Sequence, residues 1–384
     1  MAQWNRVPLI DYIELIGGGT PKTTVPEYWN GNIPWLSVKD FNNDKRYVYS
    51  TEKHISQSGF ENSPTKMLHK DDIIISARGT VGEIAMIPFD MAFNQSCYGI
   101  RASRGIDKPF LYYLLKNCIS QLKRMAHGSV FDTITRDTFA NIEVDIPDAE
   151  TQKRISSVLA DIDNKIEVND AINDNLQQQA AALFSSLYDR TNTEVRFTDL
   201  IQILGGGTPK TGENTYWNGN IAFFTPKDVG TPYTLITEKT ITEGGLSHCN
   251  SRLYPVNTVF VTARGTVGKV GMSGVPMAMN QSCYALVGKE THQLLVYFYT
   301  LKVVDRLKHK ASGAVFDAIT TKDFESEQIM KLSDDDARAF LCIAEPMFQK
   351  VLNNCIENLR LSTLRDSLLP KLMSGEIDVS AVQL

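Results

Sequence analysis

The sequence lacks the features that mark several classes of protein. No stretch approaches the roughly 18 consecutive apolar residues of a membrane-spanning helix, and the N-terminus has none of the parts of a signal peptide. Six cysteines show no Cys-x-x-Cys spacing, which argues against disulfides and zinc and favours buried thiols in a reducing compartment. We therefore expect a cytoplasmic protein that has no metal site and does not associate with membranes.

Motifs of the common enzyme classes are also missing. The sequence has no G-x-S-x-G elbow, no H-E-x-x-H pair, no Asn-Pro-Pro-aromatic motif of adenine methyltransferases and no cluster of nuclease carboxylates. GGGTPKT at 17–23 looks like a phosphate loop, but Lys22 stands where a P-loop needs glycine and Pro21 removes a backbone N–H. Asp40 and Asp228 each follow a lysine in an expected turn, so capping is their expected role. The sequence thus predicts a chain without a catalytic site.

Internal repetition is the dominant feature of the sequence. Five motifs recur at an offset that falls from 188 to 185: GGGTPKT at 17 and 205, YWNGN at 28 and 216, ARGTVG at 77 and 263, NQSCY at 94 and 280, and GSVFDTIT at 128 with GAVFDAIT at 313. The six histidines do not recur in this way, which excludes a duplicated histidine site. Only three residues are lost between the copies, so both halves are expected to share one fold. Segments 41–70 and 229–255 differ most.

Each half is followed by a segment typical of a long helix. Asp148 is a candidate N-cap, and the next forty residues contain neither glycine nor proline. Apolar residues follow the 3–4 spacing of a coiled coil, and the pattern returns 185 residues later with two asparagine layers in each copy. The central positions of this seam are Ile162, Ile166, Asn169, Asn173 and Leu176, with Met347, Val351, Asn354, Asn358 and Leu361.

Buried asparagines fix the register of paired helices at some cost in stability. We therefore expect the two helices to pair with each other, although each could instead pack only on its own domain. Pro370 and Gly375 are expected to break the second helix.

The remaining segments mix strand and helix patterns. Residues 71–78 and 257–264 are typical of strands that enter a glycine turn, and residues 109–126 and 292–311 are typical of amphipathic helices. The predicted architecture is mixed α/β (α+β) with approximate two-fold symmetry. Its parts are globular domains at 1–147 and 191–335, a long helix at 148–190, and a second long helix with a tail at 336–384.

The repeated motifs carry side chains of the kinds that contact DNA. An arginine beside a glycine can reach a base edge, Asn and Gln amides can pair with adenine, and Thr and Lys can position phosphates. The candidate DNA-contact residues are Thr20, Lys22, Thr23, Lys39, Arg78, Gly79, Thr80, Asn94, Gln95 and Ser129, with Thr208, Lys210, Thr211, Lys227, Arg264, Gly265, Thr266, Asn280, Gln281 and Ser312.

Each of these candidates has a structural alternative. The arginines could form ion pairs within their own domains, the amides could complete turns, and the glycines could serve only a turn. Phe131 and Phe316, like Trp29 and Trp217, could lie in the core. The net charge is −5 and no segment is strongly basic. DNA binding would therefore depend on local charges or on a more basic partner.

Taken together, these motifs resemble the specificity subunits of type I restriction–modification systems. The resemblance covers essentially the whole chain and rests on GGGTPKT with YWNGNIPWL, ARGTVG, NQS, the helical segment that begins DAETQKRI, and the C-terminal TLRDSLLPKLMSGEI. It implies two target-recognition domains that each read one half of a bipartite double-stranded DNA sequence. It also implies two long antiparallel helices that set the unread spacer and dock two methyltransferase subunits.

The resemblance further implies restriction (endonuclease and translocase) subunits that join this core. S-adenosylmethionine, ATP and Mg²⁺ would then be held by the partner subunits, and no cofactor by this chain. Two other functions stay open: a coiled-coil adaptor that does not bind DNA, and the reader domain of a stand-alone modification enzyme. Because the two domains share most landmarks, we also predict related, inverted half-sites in the DNA target.

Overall fold

The computed structural model describes residues 4–126, 133–230, 232–310 and 318–382. The chain divides into two compact units, one of residues 1–167 with 360–384 and the other of residues 168–359. Each unit contains one of the repeated halves together with part of both long helices. In the described ranges, no helix has the length and apolar character needed to cross a membrane.

In its described residues, the first unit contains two four-stranded sheets and a two-stranded ribbon. Their orders are β2-β9-β6-β7, which is antiparallel throughout, β4-β3-β8-β5, in which β3 and β8 are parallel, and β1-β10. The strands are β1 (Asn5–Pro8), β2 (Ile13–Gly17), β3 (Trp29–Leu36), β4 (Lys53–Ile55), β5 (Met67–Leu68), β6 (Ile73–Ser76), β7 (Ile84–Met86), β8 (Met91–Phe93), β9 (Cys97–Ala102) and β10 (Glu143–Ile146).

The burial of strand β6 on both faces explains why its sequence is an unbroken apolar run. Ile73 and Ile75 are buried in the core that includes the helices, whereas Ile74 faces a separate core beneath the second sheet. A strand buried on both faces needs no polar alternation. The helices of this unit are α1 (Val38–Phe41), α2 (Gln57–Glu61), α3 (Lys108–Ala126) and α4 (Arg136–Ala140), with parts of the long helices α5 (Ala149–Tyr188) and α10 (Asp334–Met373).

The second unit follows a similar order of elements, but α1 and β5 have no named counterpart there and β14 has none in the first unit. Its strands are β11 (Glu194–Arg196), β12 (Ile201–Gly205), β13 (Trp217–Phe224), β14 (Tyr233–Thr234), β15 (Lys239–Ile241), β16 (Val259–Thr262), β17 (Val270–Ser273), β18 (Met277–Met279), β19 (Cys283–Gly288) and β20 (Gln328–Met330). The sheet orders are β12-β19-β16-β17-β14, β15-β13-β18 and β11-β20. Its helices are α6 (Phe197–Leu200), α7 (Glu243–Ser247), α8 (Gln293–Lys310) and α9 (Thr321–Glu325).

The differences in length between the two units fall in their loops. The offset between equivalent residues changes from 188 to 186 before Tyr47. Tyr47 forms a bridge to Met86, and the equivalent residues of the second unit, Tyr233 and Met272, pair in the same way. It changes to 185 between β9 and α3, at the same place as the connection from β19 to α8. Loops tolerate such changes because they bury little of the core. The predicted sharing of one fold by the two halves is confirmed.

The long helices pair in an antiparallel direction within each unit. Asp148 caps the start of α5 by accepting hydrogen bonds from Glu150 N at 3.1 Å and Thr151 N at 3.0 Å. In the second unit, Asn169 Nδ2 donates to Asn358 Oδ1 and Asn354 Nδ2 donates to Asn173 Oδ1, each at 2.8 Å. The mixed α/β class with paired long helices is confirmed.

The prediction that Pro370 breaks the second helix is wrong. Helix α10 continues to Met373 because Leu369, Leu372 and Met373 are buried in the core of the first unit. The missing N–H of a proline removes one hydrogen bond near the end of the helix, and this packing outweighs that loss. The helix ends before Gly375, whose positive φ of 73° allows its N–H to donate to Leu372 O at 3.3 Å.

Candidate nucleic-acid interface

Three repeated motifs of the first unit come together in a three-loop site, which consists of residues 17–23, 77–82 and 94–96. Gly19 N donates to Phe93 O at 3.0 Å, and the side chains of Thr20 and Gln95 are hydrogen-bonded. Ala77 N and Arg78 N both donate to Ser96 O, at 2.8 and 3.2 Å. Backbone hydrogen bonds therefore fix three loops that are far apart in sequence next to one another.

The second unit reproduces the three-loop site with residues 205–211, 263–268 and 280–282. Gly207 N donates to Met279 O at 3.1 Å, and Ala263 N and Arg264 N donate to Ser282 O at 2.8 and 3.2 Å. Thr208 and Gln281 are joined through their side chains as Thr20 and Gln95 are. The two sites therefore share both residues and geometry.

A buried hydroxyl holds the turn that carries each arginine. Ser76 Oγ donates to Thr80 O at 2.5 Å and accepts from Glu83 N at 2.8 Å. Thr262 takes this position in the second unit and bonds to Thr266 O and Lys269 N. Gly79 has a φ of 76°, which glycine adopts at little cost. The arginine is thus presented from a turn with a defined conformation.

The arginines of these turns are free of carboxylate partners in the part of the chain that the structure describes. Arg78 and Arg264 are exposed, as are the Gly and Thr that follow each of them, Gly79, Thr80, Gly265 and Thr266. Neither guanidinium forms an ion pair with a described residue. The alternative that these arginines serve ion pairs within their own domains therefore has no support in these ranges.

The two amides of each NQS motif have different roles. Asn94 Oδ1 accepts from Ser96 N and Asn280 Oδ1 from Ser282 N, each at 3.0 Å, and both asparagines are half-buried. They complete turns, as the structural alternative proposed. Gln95 and Gln281 are exposed, and their oxygens are engaged by the threonines. This leaves the amide nitrogens of the glutamines as the better candidates for ligand contact.

The second and third glycines of each GGGTPKT motif serve close packing. A Cβ on Gly18 would lie 2.1 Å from Asn94 O, and one on Gly206 would lie 2.2 Å from Asn280 O. Beyond the glycines, Lys22, Thr23, Lys210 and Thr211 are exposed. Trp29 Nε1 donates to Lys22 O at 3.3 Å, and Trp217 Nε1 donates to Lys210 O at 3.2 Å, so both tryptophans support the loops from a half-buried position.

The expected capping role of Asp40 and Asp228 is confirmed. Asp40 accepts from Ser37 N at 2.7 Å and from Glu52 N at 2.8 Å, and Asp228 accepts from Thr225 N and Glu238 N. The neighbouring Lys39 is exposed, and Lys227 Nζ lies 3.6 Å from a Glu238 carboxylate oxygen. The predicted contacts Ser129 and Ser312, like Phe131 and Phe316, lie outside the described residues.

The predicted seam residues lie on packed faces of the long helices. Asn169, Asn173, Val351 and Asn354 are buried, and the other central positions are half-buried: Ile162, Ile166, Leu176, Met347, Asn358 and Leu361. Sequence reasoning missed two acidic partners of the asparagines. Asn169 Nδ2 also donates to Glu357 Oε2, and Asn358 Nδ2 donates to Asp170 Oδ1, both at 2.8 Å. Glu357 precedes Asn358 and Asp170 follows Asn169 in the sequence, and this adjacency is the signal that could have identified the two acids.

Sequence reasoning also missed a polar cluster in the first unit. Tyr113 Oη donates to Asp163 Oδ2 at 2.7 Å, and Asp163 is paired with Arg365. Burial alone would lower the pKa of Arg365, but hydrogen bonds to Asp366 and Asp163 raise it above its ordinary value. Arg365 therefore stays charged. Within the described ranges, no group of three or more His, Cys, Asp and Glu side chains could hold a metal ion.

Comparison with known proteins gives one consistent family. The domain described as "Type I restriction modification DNA specificity domain" matches residues 1–178 and 190–331. The type I restriction enzyme MjaIX specificity subunit of Methanocaldococcus jannaschii is 24% identical over 98% of this chain and 94% of its own length. The HindI specificity subunit of Haemophilus influenzae is 24% identical over 70% of this chain and 77% of its own length.

A solved structure shows the same fold. The type I restriction–modification system S subunit from M. genitalium superposes with a TM-score of 0.58 at 16% identity, over 97% of this chain and 96% of that chain. Two copies of the family domain account for most of the chain, in agreement with the internal repeat. The chain therefore belongs to the type I restriction–modification DNA specificity family, as its motifs indicated.

Proposed function

We propose that this chain is a DNA-recognition subunit in which each unit reads one half of a bipartite double-stranded target. One observation carries the proposal: both units present an exposed arginine on a fixed turn, beside an exposed glutamine and lysine, with the same hydrogen bonds. Arginine can bond to the O6 and N7 of guanine, and glutamine can bond to adenine. The lysines and threonines suit phosphate oxygens.

The charge of the chain limits how such binding would work. At a net charge of −5, long-range attraction to DNA is weak, so affinity must come from close contacts and from partner subunits. We propose that the paired helices set the spacer and dock two methyltransferase subunits, and that restriction subunits join this assembly. S-adenosylmethionine, Mg²⁺ and ATP would be held by those partners, so this chain acts in the cytoplasm without catalysis or cofactor of its own.

The likeness of the two three-loop sites supports a further part of the proposal. Two sites with the same arginine, glutamine and lysine should read related sequences. We propose half-sites that are related and inverted, with differences that come from segments 41–70 and 229–255. Methylome sequencing tests this, and two unrelated half-sites would contradict it.

The function as a whole is tested by co-expression with methyltransferase subunits of a type I system. Modified sites are mapped, and the purified complex is then titrated with the target duplex and with duplexes in which one half-site is scrambled. We expect preference for the intact target and loss of affinity when either half is scrambled. A complex that assembles but ignores the duplex would favour the adaptor. Binding of S-adenosylmethionine by the isolated chain would favour the stand-alone enzyme.

A further inference from the structure

The Asn-Gly-Asn sequence of each YWNGN motif forms a bulge. Ile55 of β4 is the partner of both Trp29 and Ile33 in β3, so residues 30–32 are looped out of the ladder. Ile241 of β15 is likewise the partner of both Trp217 and Ile221 in β13, which loops out residues 218–220. Bulges of this kind redirect side chains and are common beside functional sites. The function proposed above makes no use of them.

The asparagines of the two bulges have exposed amides. The four residues are Asn30, Asn32, Asn218 and Asn220, and none of their side chains is hydrogen-bonded to a described residue. Asn30 and Asn218 have a φ of 59°, in the left-handed region. The backbone between the amides is fixed, because a Cβ on Gly31 would lie 2.4 Å from Ser56 Cα. Each bulge therefore offers two free amides on a defined backbone.

The exposed asparagines of the bulge are the same in the two copies. Along β3 and β13, Ile33 and Ile221 directly after the bulge are identical, but the next three residues have changed: Pro34 to Ala222, Trp35 to Phe223 and Leu36 to Phe224. The last two pairs are buried. Asn30 and Asn218 suit their positive φ. Exposed substitutions usually alter stability by less than about 0.5 kcal/mol, so neither packing nor backbone conformation explains why Asn32 and Asn220 are identical. A shared ligand contact does explain it.

A lysine stacked on tryptophan lies beside each bulge. Lys53 Nζ is 5.7 Å from the centre of the Trp29 ring, and Lys239 Nζ is 5.7 Å from that of Trp217. The same indoles donate to Lys22 O and Lys210 O. One tryptophan thus connects the bulge, a positive charge and the GGGTPKT loop of the three-loop site in each unit.

We propose that each Asn-Gly-Asn bulge, with its tryptophan-stacked lysine, is a second DNA-contacting element that binds the sugar–phosphate backbone. The proposal rests on the DNA-recognition function proposed above. The two copies keep the same residues although segments 41–70 and 229–255 differ. Phosphate oxygens accept hydrogen bonds from side-chain amides and pair with lysine in every base sequence, so the same residues can bind both half-sites whatever their bases. The amides donate to phosphate oxygens and the lysine neutralises a phosphate.

The test uses the complex with methyltransferase subunits and measures equilibrium binding to target and scrambled duplexes at several salt concentrations. The variants are N30G/N32A and N218G/N220A, because glycine keeps the positive φ of Asn30 and Asn218 while it removes the amide. N214A is the control, since Asn214 is exposed in the same region and the other copy has Pro26 there. We expect each double variant to weaken binding to both duplexes by about tenfold, with N214A unchanged.

Salt dependence tests the lysines separately. K53A and K239A should each reduce the slope of log affinity against log salt concentration by about 1. Loss of binding to the target alone would indicate base contacts, and loss of assembly with the methyltransferase subunits would indicate a protein interface. Either result would overturn the backbone assignment. R78A separates the two proposals: if it weakens binding while both asparagine variants match the wild type, only the bulge proposal fails.

Discussion

Arg365 Nη1 lies 2.8 Å from Asp163 Oδ1 in the first unit, and both side chains are almost completely buried, at 3% and 4% exposure. Asp163 also accepts from Tyr113, and Arg365 Nη2 lies 2.8 Å from Asp44 Oδ2. A contact between α3, α5 and α10 is therefore ionic and hydrogen-bonded. Burying two charges is costly, and such a pair stabilises a fold only when its other hydrogen bonds are made.

The second unit builds the same contact from apolar side chains. At the positions 185 residues away, Asp163 corresponds to Phe348, Tyr113 to Phe298 and Arg365 to Ala180. The Phe298 ring is stacked on Phe184 at a centroid distance of 5.0 Å and meets Phe348 edge-on at 5.6 Å. The repeat thus shows two solutions to one packing problem, and only the ionic one depends on every partner being present.

Loss of Arg365 alone should be severe. R365M leaves the Asp163 carboxylate buried without its partner, and we expect a loss of about 3–5 kcal/mol in the free energy of unfolding. The double variant R365M/D163L removes both charges and should be more stable than either single variant. Urea denaturation of the four proteins gives the coupling energy directly. Additive losses in the double variant would show that the pair is not coupled.

Asp44 should give the first unit a dependence on acid. Burial alone would raise the pKa of Asp44, but Lys116 and Arg365 lower it below its ordinary value. A carboxyl whose pKa is lowered by folding contributes stability above its unfolded pKa of about 3.9, and loses it as the pH falls through the folded value. D44N should therefore be less stable than the wild type at pH 7 and approach it below about pH 4. Urea midpoints across this range test the expectation, and an equal difference at every pH would contradict it.

The arginines of the three-loop sites should act on separate halves of the DNA target. R78A should cost about 1–3 kcal/mol of binding energy and relax sequence preference at one half-site, and R264A should do the same at the other. Arg104 provides a control, because it is exposed, pairs with Asp11 and has Glu290 as its counterpart in the second unit. Binding to duplexes with single substitutions in each half-site measures the effect. Equal loss at both halves from either variant would rule out separate reading.

The cysteines should differ widely in reactivity. Burial raises the pKa of Cys97 and Cys283 to about 12 and that of Cys118 and Cys355 to about 11, which suppresses the reactive thiolate. Cys342 is exposed. At pH 8 we expect a thiol reagent to modify Cys342 first in the native protein, and the four thiols whose pKa is raised only after denaturation. C342S should abolish the fast phase, and a fast phase that survives would contradict the assignment.

The features that were easiest to predict from the sequence are those that arise from helix periodicity or from the internal repeat. The 3–4 spacing around Asn169 and Asn354 predicted the paired helices, and the repeat predicted two similar units. The meeting of three loops around Ser96 was not predictable, because it depends on backbone hydrogen bonds between distant segments. Composition alone also could not separate Asn94, which closes a turn, from Gln95, which is exposed.

Tertiary packing explains what sequence reasoning missed. Asp163 lies beside the predicted seam of α5 and not on it, and it is buried because Tyr113 of α3 packs there. Pro370 stays helical since the apolar residues around it belong to the core of the first unit. In both cases packing against the rest of the first unit decides the result, and the periodicity of the paired helices contains no information about that packing.

The first unit is built from two separate segments of the chain, and this affects the order in which the molecule can fold. That unit consists of residues 1–167 and 360–384, so its core includes Leu369, Leu372 and Met373 from the end of α10. A ribosome synthesises these side chains after every residue of the second unit. The first unit therefore cannot complete its core until the second unit has been synthesised. Until then, apolar residues of the first unit stay exposed to solvent.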